Sequence, residues 1–295
     1  MNTERPPICD YEGSDYQKSF WEESDRAYED QAEAIALRRL LPPVGNLLLE
    51  VGAGAGRNTP RYKGFDRIVL LDYSLTQLQQ AQERLGSGGR YIYVAADAYR
   101  LPFHPGLFDT ATMIRTLHHM AAPPQVLRQV RAALKPDGVF ILEYPNKRNI
   151  KAILRYMLGR QEWSPFTPEA IEFAKLNFDF HPRSVRSWLK ECGFRIERQL
   201  TVSHFRVSAF KRLIPLQFLV GMDSLAQLTG GLWQFSPSVF VRAKAKGSGE
   251  TAPEGAFFRC PACESALPDG NTDGIRCPNC SRDWAIRDGI YDFRE

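Results

Sequence analysis

The chain has little that points to secretion, membrane insertion or a dedicated nucleic-acid surface. Its start, MNTERPPICDYEG, lacks the basic-then-apolar pattern of a secretory leader. Its longest apolar stretch, RLIPLQFLVGMDSLAQLTGGLW, is interrupted by Pro215, Gln217 and Asp223. No run reaches the roughly 18 uninterrupted apolar residues of a membrane span, so no stable membrane insertion is expected. Excess charge is also scarce: the formal net charge is +4 over 295 residues, with no dense basic face. Cysteines number only six, and four of them fall in two close pairs near the C-terminus. In the reducing cytoplasm, the default location for such a chain, that pairing suggests a metal rather than disulfides. No internal repeat is visible.

What is present is an alternation. NLLLEV, RIVLLDY, RYIYVAAD, FDTATMIRTL and VFILEYP are strand-like runs, and most are separated by helical patterns. Ser24 to Leu41 reads as a helix with Ala34, Leu37, Leu40 and Leu41 on one face, stopped by Pro42 and Pro43. SLTQLQQAQERLG reads as a helix capped by Ser74 and stopped at Gly86. APPQVLRQVRAALKPDG reads as a helix ended by Pro136 and Gly138, and HPRSVRSWLKECGF as another. RIERQLTVS and SPSVFVRAKA supply two further strands. Strands that are apolar throughout, joined by helices, imply a parallel sheet covered on both faces. The expected fold is therefore α/β, a doubly wound, mostly parallel, seven-stranded Rossmann-like sheet. Residues 1–245 are expected to form one domain, with an N-terminal helical lid over 1–43 and a helical insertion over 146–185. A Gly- and Ser-rich linker, 246–256, then leads to a small module at 257–295.

The first strand runs into LEVGAGAG. Gly52, Gly54 and Gly56 give G-x-G-x-G, and Arg57 stands where a dinucleotide fingerprint has its last glycine. Such a turn lies beyond the carboxyl end of its strand, where open parallel sheets bind ligands. Glu50, inside the strand end, is the wrong sign for a pyrophosphate and the right sign for an ammonium group. Asp72 ends the second strand, twenty residues after Gly52, and can accept both hydroxyls of a ribose. Asp97 ends the third.

LEVGAGAG resembles motif I of the class I S-adenosylmethionine-dependent methyltransferases, and LPFHPGLFDTATMIRTLHHM and LKPDGVFILEYPN resemble that family's fourth- and fifth-strand regions. The resemblance is closest over about residues 45–145 and looser over 181–245. It implies S-adenosylmethionine as cofactor, held by Glu50, Gly52, Gly54, Gly56, Asp72, Tyr73, Asp97, Ala98 and Arg115, with Asp97 facing the adenine amino group. It places His118 and His119 on the acceptor side as candidates for a general base, beside Arg115, Tyr144 and Asn146. Tyr16, Phe20 and Trp21 are candidates for a closing lid. The aromatic and aliphatic character of the N-terminal segment, the insertion and residues 208–235 suits a small organic acceptor methylated on oxygen or carbon. Neither the Pro-Pro-aromatic motif of adenine amino methylases nor the Pro-Cys nucleophile of cytosine methylases is present. Two alternatives stand beside this: an RNA- or protein-modifying methyltransferase, and a non-catalytic cofactor-binding interaction protein.

Cys260-x2-Cys263 and Cys277-x2-Cys280, separated by thirteen residues, have the spacing of a closed tetrahedral zinc site of structural type. Iron bound by the same four thiolates is the less favoured alternative. The tail RDWAIRDGIYDF resembles the end of the small zinc-ribbon proteins that activate some tRNA and translation-factor methyltransferases, which is what keeps a macromolecular acceptor or partner in view.

Overall fold

The computed structural model describes residues 5–14, 26–247, 249–268 and 274–294. Tyr16, Phe20 and Trp21 lie outside the described residues. Strands β1 (Gly45–Val51), β2 (Phe65–Asp72), β3 (Tyr91–Ala95), β4 (Phe108–Met113) and β5 (Leu134–Pro145) form the first half of the main sheet. They alternate with helices α1 (Ala27–Leu40), which precedes β1, α2 (Leu75–Leu85) and α3 (Pro123–Ala133). Next come α4 (Ile150–Met157), a hairpin of β6 (Ile171–Ala174) and β7 (Asn177–Asp179), α5 (Pro182–Glu191), β8 (Phe194–Val202), α6 (Ser208–Leu213), α7 (Leu216–Ala226) and β9 (Ser238–Ala245). The C-terminal module contributes β10 (Gly274–Arg276), β11 (Asp283–Arg287) and β12 (Ile290–Asp292).

The expected seven strands stand in the order β3-β2-β1-β4-β5-β9-β8. The five strands from β3 to β5 run parallel, and β9 is antiparallel to both β5 and β8. Strand order reverses between β1 and β4, which places the ligand crevice beyond the carboxyl ends of these central strands. The inner strands are covered on both sides, so Leu48, Leu49, Ile68, Val69, Leu70, Ala111, Phe140, Ile141 and Leu142 are fully buried. This burial explains why the strands read as unbroken apolar runs.

The module extends the sheet. β12 pairs in parallel with β3 from Ile290 opposite Tyr93 to Asp292 opposite Ala95, and β10 and β11 follow outward, making ten strands. Phe293 N–H donates to the Ala95 carbonyl, and Phe258 stacks on Phe103 with ring centres 5.8 Å apart. Phe258, Ile275, Trp284 and Phe293 join the core that lies under β3 and β4. The chain ahead of Phe257 is tied to the residues just before β4, where Ala252 N–H donates to the Gly106 carbonyl.

Three local expectations are corrected. α1 buries Glu29, Ala32, Glu33, Ala36, Leu37 and Leu40, so its inward stripe is not the one through Ala34, because two carboxylates on it are paired within the fold. α3 ends at Ala133 rather than at Pro136. The residue before a proline disfavours helical backbone, and Lys135 and Pro136 already belong to β5. The 146–185 segment is only partly helical: Gly159, at φ +65°, ends the turn after α4, and Pro165 and Pro168 follow. The chain then forms the β6–β7 hairpin, which turns at Leu176 with φ +52°.

Candidate functional site

The tip of β1 carries the glycine turn. Gly52 sits at φ +70°, and a Cβ there would lie 2.2 Å from Thr116 Oγ1. The position therefore requires glycine on two grounds, backbone conformation and space. Thr116 in turn lies within hydrogen-bonding distance of the Val51 and Gly52 carbonyls, joining the end of β4 to the turn. Gly54 N–H donates to Asp72 Oδ2 at 2.8 Å, and Ser74 N–H to Asp72 Oδ1 at 3.0 Å. An ionised carboxylate has about four acceptor positions, so Asp72 is oriented by the turn and retains capacity for a ribose diol. Gly56 is not on the cavity wall; it packs behind the turn, against Leu85, Thr59 and Ala81.

The cavity at these strand tips is lined by Glu50, Gly52, Gly54, Asp72, Tyr73, Asp97, Ala98, Arg115 and His119, among others. Eight of the nine residues expected to hold a cofactor thus come together, Gly56 being the exception. Glu50 is nearly inaccessible and accepts from Thr59 Oγ1 at 2.6 Å and Tyr62 Oη at 3.1 Å. Burial pushes its carboxyl up to about 7, and the two hydroxyls and more distant Arg57 and Arg61 only partly oppose that. A buried carboxyl at a cavity wall, with its value raised by desolvation, is stabilised in its charged form by a cationic group brought against it. Asp97 accepts from Tyr99 N–H through Oδ1, while its Oδ2 is 2.9–3.0 Å from the guanidinium of Arg5. Ile8, Cys9 and Tyr11 cover the same cavity.

At the other end stands His119. Its Nδ1 is 3.0 Å from the Leu176 carbonyl, which assigns the proton to Nδ1. Nε2 is then the acceptor for Tyr11 Oη, at 3.0 Å. Burial holds the imidazole below its ordinary range despite the Leu176 bond, so it is neutral near pH 7. His118 does not line the cavity. It is partly buried, and desolvation together with His119 and Arg115 pushes it further down. Tyr144 is fully buried, and Asn146 holds the carbonyls of Gln234 and Ser236 at 2.9 Å, so neither lines the cavity.

An ion-pair array beneath the site was not read from the sequence. Glu33 of α1, fully buried, accepts from Arg57 at 2.8 Å and from Arg115. Burial alone would raise its carboxyl, but the two guanidinium groups hold it at about 2. Asp30 engages Arg57 and Arg61. Arg115 adopts φ +55°, and its N–H donates to Glu143 at 2.9 Å. α1 thereby fixes the residues after both β1 and β4. Its acidic i, i+3 pair, Asp30 and Glu33, is the only sequence signal for this, and it is shared by most solvated helices.

The four module cysteines converge. Cys260 Sγ is 3.7 Å from Cys280 Sγ, Cys263 Sγ is 3.5 Å from Cys277 Sγ, and all four sulfurs lie within 4.8 Å of one another. Four thiolates around zinc at 2.3 Å stand about 3.8 Å apart, so the set fits a tetrahedral thiophilic ion with every position filled. Arg294 of the module reaches the cofactor side: it donates to the Tyr73 carbonyl and to Glu12, and Glu12 accepts from Leu75 N–H and Thr76 N–H at the start of α2.

A family model described as a methyltransferase domain matches residues 49–142. A demethylmenaquinone methyltransferase of Clavibacter sepedonicus is 25% identical over 177 residues, 56% of this chain and 72% of that one. The ubiquinone/menaquinone biosynthesis C-methyltransferase UbiE of Pseudomonas savastanoi pv. phaseolicola is 30% identical over 169 residues, 51% of this chain and 65% of that one. Among solved structures, the 1,6-didemethyltoxoflavin-N1-methyltransferase of Burkholderia thailandensis, crystallised with S-adenosylhomocysteine, superposes with a TM-score of 0.51. It is 19% identical, with 78% of this chain and 84% of that chain covered, and shows the shared fold.

Proposed function

We propose that the chain, whose residues 49–142 match a methyltransferase-domain family model, is an S-adenosylmethionine-dependent methyltransferase that methylates a small organic acceptor on oxygen or carbon. The observation that carries this is the pairing of a three-carboxylate cleft with the neutral, oriented His119 at its far end, under a cover formed by Ile8 to Tyr11. Both curated relatives above act on quinone precursors by their names, which supports an acceptor of similar size. We take residues 1–245 as the catalytic unit, 246–256 as the connection and 257–295 as a zinc-bearing module.

In this reading Glu50 takes the cofactor's ammonium group, Asp72 its ribose diol and Asp97, once Arg5 withdraws, its adenine amine. When bound, the sulfonium supplies an activated methyl group and leaves as a neutral thioether. The chain's own task is then to align and enclose, which accounts for a large share of rate in such displacements. His119 Nε2 accepts the proton of an acceptor hydroxyl or acidic carbon that takes the place of the Tyr11 hydroxyl. The Leu176 carbonyl steadies the imidazolium that forms. His118, off the cavity and with its ring 3.9 Å from that of His119, keeps a packing role. The four cysteines hold zinc and keep β10–β12 folded against β3.

The test is transfer of labelled methyl from S-adenosylmethionine into fractionated extract. Label in an organic-soluble, low-mass fraction, lost with His119→Ala, supports the proposal. Label in RNA or protein refutes the acceptor class, and absence of cofactor binding refutes the activity.

A further inference from the structure

Among the described residues, sixteen large apolar side chains are exposed, and all but Val44 fall between Ile150 and Trp233. Two sets of them are arranged at helical spacing. Ile150, Leu154 and Met157 form an outward stripe on α4, at 57%, 53% and 73% exposure. Phe218, Leu225 and Leu232 form a second stripe along α7 and the turn that continues it, at 64%, 72% and 85%. The two stripes are neighbours at one end. Ile150 N–H donates to the Phe235 carbonyl, and the exposed Trp233 ring lies 6.5 Å from Phe235. α4 buries only Ala152, and the inner side of α7 packs on α1 through Leu219 and Val220. Neither outward stripe has a partner within the described chain.

The charges on these segments have one sign. Residues 147–161 contain five basic side chains and no acidic one. Residues 207–235 contain Lys211, Arg212 and a single acid, Asp223, which is fully buried and occupied by Tyr28 and His204. The charges that reach solvent beside the apolar stripes include Lys151, Arg155, Arg160 and Arg212, with Glu162 the exposed acid that follows them in the chain. Apolar stripes fringed by Lys and Arg are the pattern of helices that lie in an anionic lipid interface. A second copy of the chain is disfavoured as the occupant. A two-fold interface through this face would set the same cations against themselves.

We propose that α4, α7 and the turn through Trp233 form a docking face for an anionic bilayer surface. The apolar side chains enter the headgroup boundary, and Lys151, Arg155, Arg160 and Arg212 engage lipid phosphates. No helix among the described residues is long and apolar enough to cross the bilayer. The face does not depend on the identity of the methyl acceptor.

The experiment is sedimentation of the full chain with phosphatidylcholine vesicles, with and without phosphatidylglycerol, at low and high salt. The proposal expects binding to the anionic vesicles, weakened by salt, and little binding to the neutral ones. The double variant L225S/L232S loses that binding. K151E/R155E reduces it by about tenfold or more, since each lost cation near the surface counts. All four residues are exposed, so both variants keep the parental melting temperature. Failure of the parent to bind either vesicle at low salt overturns the proposal. So does a parent that is dimeric in light scattering while L225S/L232S is monomeric, which would make the face a subunit interface.

Discussion

Protonation of Glu50 is expected to control cofactor binding within a narrow pH range. In the free protein, burial raises its carboxyl from an ordinary 4.5 to about 7. A cofactor ammonium placed against it stabilises the charged form and draws that value down, so the bound form carries the ionised carboxylate. Binding must then deprotonate whatever fraction is neutral. That fraction is about nine tenths at pH 6 and about one tenth at pH 8, so affinity should weaken about tenfold from pH 8 to pH 6. Burial holds His119 below its ordinary range, and the Glu50→Gln variant separates any slope it adds from that of Glu50. The same shift has a stability counterpart. A carboxyl whose folded value lies above its unfolded one contributes stability that is fully present below the unfolded value and lost as pH rises through 7. The cofactor-free protein should therefore gain stability as pH falls from 8 towards 5, as far as this group is concerned. Glu50→Gln removes the burden at pH 8, worth on the order of 3 kcal/mol for a shift from 4.5 to about 7. It raises the melting temperature while weakening cofactor binding. Calorimetric titration with S-adenosylhomocysteine at pH 6, 7 and 8, for parent and Glu50→Gln, is the assay. A flat affinity in the parent, or an unchanged slope in Glu50→Gln, would refute the reasoning.

Glu33→Gln should cost about 3 kcal/mol or more in chemical denaturation, because it leaves Arg57 and Arg115 facing a neutral partner in a buried position. His119→Ala should lower turnover between about a hundredfold and ten-thousandfold with cofactor affinity nearly unchanged, in steady-state kinetics and calorimetry respectively. Arg5→Ala should tighten cofactor binding by up to about fivefold, because the guanidinium on Asp97 competes with adenine for one carboxylate and a partly exposed pair is worth no more than about 1 kcal/mol. The purified chain should carry one zinc by elemental analysis. Cys277→Ser should lose it, lower the melting temperature, and weaken cofactor binding by releasing Arg294 from Tyr73 and Glu12.

The central sheet could be read from the sequence because its strands are buried on both faces and interrupted by amphipathic helices, one of them capped by Ser74, a pattern set by local sequence alone. The three acids at strand tips were readable for the same reason: once the strands are placed, Glu50, Asp72 and Asp97 fall at their carboxyl ends. What could not be read depends on contacts between distant segments. Tyr11 and Arg5 belong to an N-terminal stretch without periodicity, and only the fold brings Tyr11 within 3.0 Å of His119 and Arg5 within 2.9 Å of Asp97. The segment that forms the β6–β7 hairpin reads as helix because its two alternating runs, Ile171 and Phe173, then Leu176, Phe178 and Phe180, are only a few residues long and no Gly, Asn or Asp marks the turn, which depends on Leu176 in a left-handed conformation. The tail at Ile290–Asp292 reads as a short apolar run, and nothing in it announces that it completes the edge at β3.

The account rests on three carboxylates sharing one ligand. A crystal structure with S-adenosylhomocysteine tests it most directly. The expected density places the amino group at Glu50, the ribose hydroxyls at Asp72 and the adenine amine at Asp97, with Arg5 displaced from that carboxylate. The nucleoside lying elsewhere, or occupying this cleft with Arg5 still seated on Asp97, would contradict it.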